Sequence, residues 1–253
     1  KTLSSSEDVD DPSFRSISFD ELRDSYFEQV EALIEGGVDL ILIETVFDVL
    51  NAKAAIAATL DAFEKSGVEL PLMLSVTFIQ EGSNRTVFGQ TVDAFWATIA
   101  HAKPFSVGIN CGLGAKSMVG NLTELSRLAN THTHCYPNAG LPNPLAPTGF
   151  DETPEITSAE IRGLAEKGLV NIVGGCCGTT PDHIRAIAEA VEGIQPRTVD
   201  GEGLEIRELD IEASGDDEHF HSEDCRHRGP HEFTTYAGLE PYSIKPDSNF
   251  SMI

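Results

Sequence analysis

Positive charge is scarce in this sequence: 17 Lys and Arg stand against 41 Asp and Glu, a formal net charge of −24 at pH 7. That balance excludes sequence-independent nucleic-acid binding and attraction to anionic lipid surfaces. Long apolar runs are missing as well. The longest lies around residues 40–43, far below the roughly 20 residues that a membrane-spanning helix needs. Cysteine is sparse and odd in number, five in 253 residues, which excludes a small secreted disulfide scaffold. A reducing cytoplasmic compartment, with free or metal-bound thiols, is the expectation. No G-x-G-x-x-G follows the first apolar strand and no Walker A lysine is present, so a nucleotide-binding fold has no support. No signal-peptide pattern opens the chain. It begins at Lys1 rather than Met, and a true N-terminus further upstream is expected.

What is there centres on residues 170–181, Val-Asn-Ile-Val-Gly-Gly-Cys-Cys-Gly-Thr-Thr-Pro. The β-branched run Val170, Ile172, Val173 reads as a buried strand that stops at Gly174-Gly175. Side chains alternate across a strand, so Cys176 and Cys177 cannot converge if the strand continues through them. The flanking glycines permit a tight turn with positive φ, which would bring both sulfurs to one point. Thr180 then reads as a helix N-cap and Pro181 as the first helical residue. Two thiolates at one point suit a soft divalent metal, zinc above all.

The rest of the chain alternates helix and strand. A polar loop over residues 1–18 precedes a helix over 19–36, with apolar periodicity through Leu22, Tyr26, Val30 and Leu33. Strands are expected at 39–46, 70–78, 105–110, 131–136 and 170–173. Helices are expected at 48–65, near 91–102, 115–130, 156–167 and 181–193. Such alternation means βαβ units and a parallel sheet. Five strands are too few for a barrel, which closes with eight, so a doubly wound sheet and a truncated barrel both remain open here. In either, the C-terminal rim of the strands is the functional face. Glu44, Thr77, Cys111, Asn138, Cys176 and Cys177 gather on it.

Residues 200–232 are acidic, poor in large apolar side chains, and carry His219, His221, His227, His231 and Cys225. They read as a solvated, disordered linker rather than a metal site. Residues 234–253 regain turn signals and read as the start of another domain.

Three cysteines, Cys111, Cys176 and Cys177, stand just past parallel strands. Three protein ligands with an open fourth position describe a catalytic zinc, whereas a structural zinc has four closed ligands. A metal-held thiol is deprotonated outright, so a substrate thiol at the open position would become a nucleophile without a general base. Taken alone, Cys111 equally fits a small buried hydrophobe, and Cys135 reads as core. A cysteine nucleophile with a histidine base, from His132, His134 or His183, is a rival, but it leaves the second adjacent cysteine unexplained. Glu44 suits the ammonium of an amino-acid substrate, or the cap of the following helix. Asn138 suits substrate, the open metal position, or an ordinary turn.

Gly108-Ile109-Asn110-Cys111 and residues 174–181 resemble the two zinc-ligand motifs of the homocysteine S-methyltransferase family, and residues 137–143 resemble the loop between them. Glu44-Thr45-Val46-Phe47-Asp48 and Leu50-Asn51-Ala52-Lys53 resemble, more narrowly, its cobalamin-dependent methionine synthase branch. Gly238-Leu239-Glu240-Pro241 resembles the junction into that branch's folate-binding barrel. The resemblance covers about residues 1–197 and the last twenty.

It implies a (β/α)8 TIM-type barrel, N-terminally truncated and followed by an acidic linker. Residues 1–197 would be the partial homocysteine-binding barrel, 198–233 the linker and 234–253 the start of a pterin- or folate-binding domain. Zinc would sit on Cys111, Cys176 and Cys177, with Glu44 at the amino group of homocysteine. The thiolate would take the methyl of methylcobalamin, giving methionine and cob(I)alamin, with folate- and cobalamin-binding modules as partners on the same polypeptide. The first three strands of the family barrel, its glycine-rich start and those modules are missing from this sequence, so it reads as a fragment. A cobalamin-independent methyltransferase using betaine or a methylsulfonium donor is the runner-up. A non-catalytic zinc-binding module is the alternative of another class.

Overall fold

The computed structural model describes residues 1–147 and 149–199. The expected acidic linker from residue 200 on, with its histidines and Cys225, and the expected domain start at 234–253 lie outside the described residues.

Helix α1 (Phe19–Glu35) begins where Ser18 and Glu21 cap one another: the Ser18 N–H donates to Glu21 Oε2 at 2.8 Å and the Glu21 N–H to Ser18 Oγ at 3.3 Å. Its inward stripe is Phe27, Val30 and Ile34, while Leu33, expected on that stripe, is exposed. Residues 27, 30 and 34 are three and four apart and share a face, from which position 33 is rotated by about 100°.

Strand β1 (Ile41–Val46) leads into α2 (Val49–Ser66), whose alanines let it lie close to its neighbours: Ala52, Ala54, Ala55, Ala58 and Ala62 are all buried. Gly67, at φ 68°, ends that helix. Then come β2 (Leu72–Val76), α3 (Val92–Ile99), β3 (Ser106–Asn110), α4 (Ala115–Leu128), β4 (His132–Tyr136), α5 (Pro154–Glu166), β5 (Ile172–Val173) and α6 (Pro181–Val191). A short 3-10 turn, Ala100–Ala102, completes the segment expected as one helix near 91–102.

The five strands form one wholly parallel sheet in the order β1-β2-β3-β4-β5. A doubly wound sheet reverses its strand order at a switch point. Here the order never reverses, which is the pattern of successive units of a β/α barrel. The described residues supply five of the eight strands that a closed barrel requires.

Register fixes what each face carries. Ser75, Gly108 and His134 lie in one row, and Met73, Ser106 and His132 in another. Asn110 pairs with Tyr136 one step nearer the rim. The alternate positions Leu74, Val76, Val107, Ile109 and Cys135 are buried and apolar. Cys135 meets Met118 of α4, Sγ to Sδ 3.7 Å, and burial pushes its thiol up to about 12. It is core, as the sequence suggests. No helix among the described residues is long and apolar enough to cross a membrane.

Candidate metal and thiol site

Because all five strands run the same way, their C-terminal ends share one edge, and two loops on that edge bring three sulfurs together. The first loop leaves β3 at Cys111. Its φ is 61°, a left-handed conformation that a residue with a Cβ seldom adopts, and Gly112 follows at 77°. Such an outlier persists only where its surroundings impose it. The Cys111 N–H donates to Tyr136 O at 3.0 Å, and the Leu113 N–H to Cys111 O at 2.9 Å. The space is equally restrictive, since a Cβ on Gly112 would lie 2.6 Å from the carbonyl oxygen of Phe78.

The second loop leaves β5 after Val173, so neither Cys176 nor Cys177 is in a strand. The positive φ expected among the flanking glycines falls at Gly178, at 79°. A Cβ there would also overlap the Phe150 ring.

Residues 137–139 rivet the two loops. The Cys176 N–H donates to Pro137 O at 2.8 Å, the Ala139 N–H to Cys177 O at 2.9 Å, and the Asn138 N–H to Leu113 O at 3.0 Å. Asn138, nearly fully buried, accepts the Cys177 N–H on Oδ1 at 3.1 Å. Its carboxamide therefore orients a cysteine. Thr180 caps α6 as expected, with His183 as its partner: the Thr180 N–H and Oγ lie 3.2 and 2.8 Å from His183 Nδ1.

The sulfurs of Cys111, Cys176 and Cys177 all lie within 4.8 Å of one another. Cys111 and Cys177 are 3.7 Å apart, and Cys176 and Cys177 are 3.8 Å apart. Four ligands placed tetrahedrally at zinc–sulfur distances of about 2.3 Å are separated by about 3.8 Å. The donor set and its spacing thus fit zinc. Burial and the neighbouring thiols push Cys176 up to about 12, and burial raises Cys177. Crowded thiols resist ionisation, and a divalent cation reverses that preference.

Glu44 is exposed at the end of β1. It does not cap the next helix: Asp48 does, accepting the Leu50 N–H at 2.9 Å together with the backbone N–H groups of Leu3 and Ser4. The carboxylate of Glu44 is left facing the sulfur cluster through Asn110, whose Nδ2 lies 3.5 Å from Glu44 Oε2 and 3.9 Å from Cys176 Sγ.

Asn110, named in the sequence only as part of the motif ahead of Cys111, has a role there that sequence reasoning missed. It is fully buried, and its carboxamide grips Thr45, accepting the Thr45 N–H at 2.9 Å and donating to Thr45 Oγ1 at 2.9 Å. The available signal was the alternation Ser106, Gly108, Asn110 against Val107, Ile109, which puts a polar side chain on the inner face beside Cys111.

A cysteine–histidine pair does not form among the described residues. His134 is buried in the sheet, where Ser106 Oγ meets its Nδ1 at 2.8 Å and burial drives its imidazole down to about 3. His183 is held by Thr180 and by Glu152 O. His132 stands at the opposite end of β4 from the rim, against Phe105.

A family model, homocysteine S-methyltransferase, matches residues 1–191. Two solved structures of the homocysteine methyltransferase MmuM from Escherichia coli share the fold. The apo form is 21% identical with a TM-score of 0.52, the alignment covering 69% of this chain and 57% of that one. The oxidized form is 22% identical with a TM-score of 0.54, covering 70% and 53%. This chain thus spans little more than half the length of either. The fold, the two cysteine-bearing rim loops and the match over 1–191 agree: the chain belongs to the homocysteine S-methyltransferase family.

Proposed function

We propose that residues 1–197 are the homocysteine-activating part of a zinc-dependent methyltransferase, with Cys111, Cys176 and Cys177 as the zinc ligands and methionine as the product. The observation that carries this reading is the convergence of three sulfurs, from two separate loops, at the spacing of a tetrahedral zinc site. Bound zinc supplies the positive charge that ionises an incoming thiol at neutral pH, where a free thiol with a pKa of roughly 8.5 is mostly protonated.

The chain's own residues do the remainder. The three cysteines provide one donor fewer than a closed structural site. Glu44 accepts the substrate ammonium in a charge-assisted hydrogen bond. Asn138 holds Cys177 by its backbone N–H. No histidine base is required, and none among the described residues is hydrogen-bonded to these sulfurs.

For the methyl donor we favour methylcobalamin, carried on a separate module. The support is the run Glu44-Thr45-Val46-Phe47-Asp48 and the segment Gly238-Leu239-Glu240-Pro241. Residues 198–233 then serve as an acidic linker and 234–253 as the entry to a folate-binding domain. A betaine or methylsulfonium donor is the rival, and methionine formation with each donor in turn separates them.

Thiol activation is tested by calorimetry and pH-stat. Homocysteine added to the zinc-loaded chain at pH 7 is expected to release a proton, and the release is expected to vanish in Cys176→Ser and after chelation. Equal release in Cys176→Ser refutes the assignment. A fourth protein ligand found on the zinc favours the non-catalytic module instead.

A further inference from the structure

The rim holds one buried polar side chain that touches both ends of the site without being a ligand. Asn110 has one acceptor and two donor hydrogens in its carboxamide. The acceptor takes the Thr45 N–H and one donor goes to Thr45 Oγ1, each at 2.9 Å. The second donor is left to Glu44 Oε2 at 3.5 Å and Cys176 Sγ at 3.9 Å.

Thr45 is itself unusual. It is β-branched yet has a φ of 57°, a conformation such residues rarely adopt. It sits where β1 slips register against β2, between Ile43 and Val46. The slip matters because it sets where Glu44 faces. A carboxamide clamped to both the backbone and the hydroxyl of Thr45 holds the strand in that shape. Asn110 is in turn the last residue of β3, covalently joined to Cys111. One side chain therefore ties the position of Glu44 to that of the sulfurs.

We propose that Asn110 is a positioning residue that fixes the span between the Glu44 carboxylate and the three sulfurs, and so selects homocysteine over cysteine. The two amino acids carry the same ammonium, carboxylate and thiol and differ by one methylene between them. A site that anchors the ammonium at one end and the sulfur at the other can distinguish them only if the two anchors keep a fixed separation. Glu44 is exposed and lies at a bulge, and without Asn110 it can follow the shorter molecule. The inference rests on the proposed roles of Glu44 and the three cysteines.

The test measures dissociation constants of L-homocysteine and L-cysteine for the zinc-loaded full chain by calorimetry, with zinc content assayed before and after. One methylene is worth roughly 10- to 200-fold in recognition, so the unmodified chain is expected to prefer homocysteine by at least about tenfold. Asn110→Ala is expected to keep one zinc per chain while the preference narrows roughly tenfold, mostly through tighter relative binding of cysteine.

Thr45→Gly removes the hydroxyl from a backbone position that glycine adopts without strain. It is expected to narrow the preference in the same direction, and it decides the matter if Asn110→Ala does not fold. An unchanged preference at full zinc content, in Thr45→Gly and in any folded Asn110→Ala, overturns the proposal. So does a loss of both thiols in proportion to lost zinc, which is the signature of a merely structural residue. If the unmodified zinc-loaded chain binds homocysteine no better than cysteine, this proposal falls while the metal site stands. If it binds neither thiol, the proposed function falls first.

Discussion

Acidification is expected to unfold this chain partly through one histidine. His134 lies in the middle of β4, fully buried, with its ring across Gly108 and stacked on Tyr136 at 4.8 Å between centroids. Its Nδ1 meets Ser106 Oγ, and its Nε2 has no hydrogen-bond partner. Burial holds the folded imidazole down at about 3, from an ordinary 6.5. In the unfolded chain it takes up a proton as pH falls through about 6.5, while the folded chain refuses one until about pH 3. Between those values the unfolded state binds more protons, so stability falls with falling pH, by about 1.4 kcal/mol per unit. From pH 6.5 to 5 the contribution is about 2 kcal/mol, a large share of an ordinary folding free energy of about 5–15 kcal/mol.

The assay is urea unfolding of the chelator-treated chain and of His134→Asn at several pH values, compared as a difference. Zinc must be removed so that proton competition at the cysteines does not add to the slope. The substitution shifts the whole curve through altered packing, but only its pH slope is at issue. The difference is expected to change by about 2 kcal/mol between pH 6.5 and 5. Parallel curves for the two proteins refute the burial argument.

Gly108→Ala is expected to cost at least about 3 kcal/mol, at the upper end of overpacking, because the new Cβ would overlap both the His134 ring and its immovable backbone oxygen; thermal melts check it. Asn138→Ala leaves the Cys177 N–H without its acceptor and is expected to weaken zinc binding about 10- to 100-fold with the circular dichroism unchanged; competition with a chromophoric chelator reads it.

Much of this architecture was legible because it follows from period and punctuation. Gly67 after an alanine-rich helix and Thr180-Pro181 before another mark real ends, and all five expected strands are present, the fourth (His132–Tyr136) although its sequence is largely polar. Two of the three sulfurs were legible for a related reason: adjacent cysteines between glycines have little packing purpose, whereas Cys111 joined them only through its place past a parallel strand and the family motif. Strand order was not legible in the alternation itself, because a barrel and a doubly wound sheet share the same βαβ pattern and differ only in which strands pair; only the family resemblance pointed to the barrel. The role of Asn110 escaped because, as the last residue of a strand and the neighbour of Cys111, it carries no local sign of what its side chain meets. Its importance comes from contacts with Thr45 and Glu44, more than sixty positions away. The left-handed Cys111 escaped as well, since nothing in its residue type announces a positive φ.

Zinc stoichiometry under chelator competition bears most directly on the metal site. One tightly held zinc per chain is expected in the unmodified protein and in Cys135→Ala, whose sulfur lies against Met118 in the core. Tight zinc is expected to be lost from each of Cys111→Ser, Cys176→Ser and Cys177→Ser. Full, tight zinc in Cys111→Ser would contradict the account, because the two rim loops would then not share a cation.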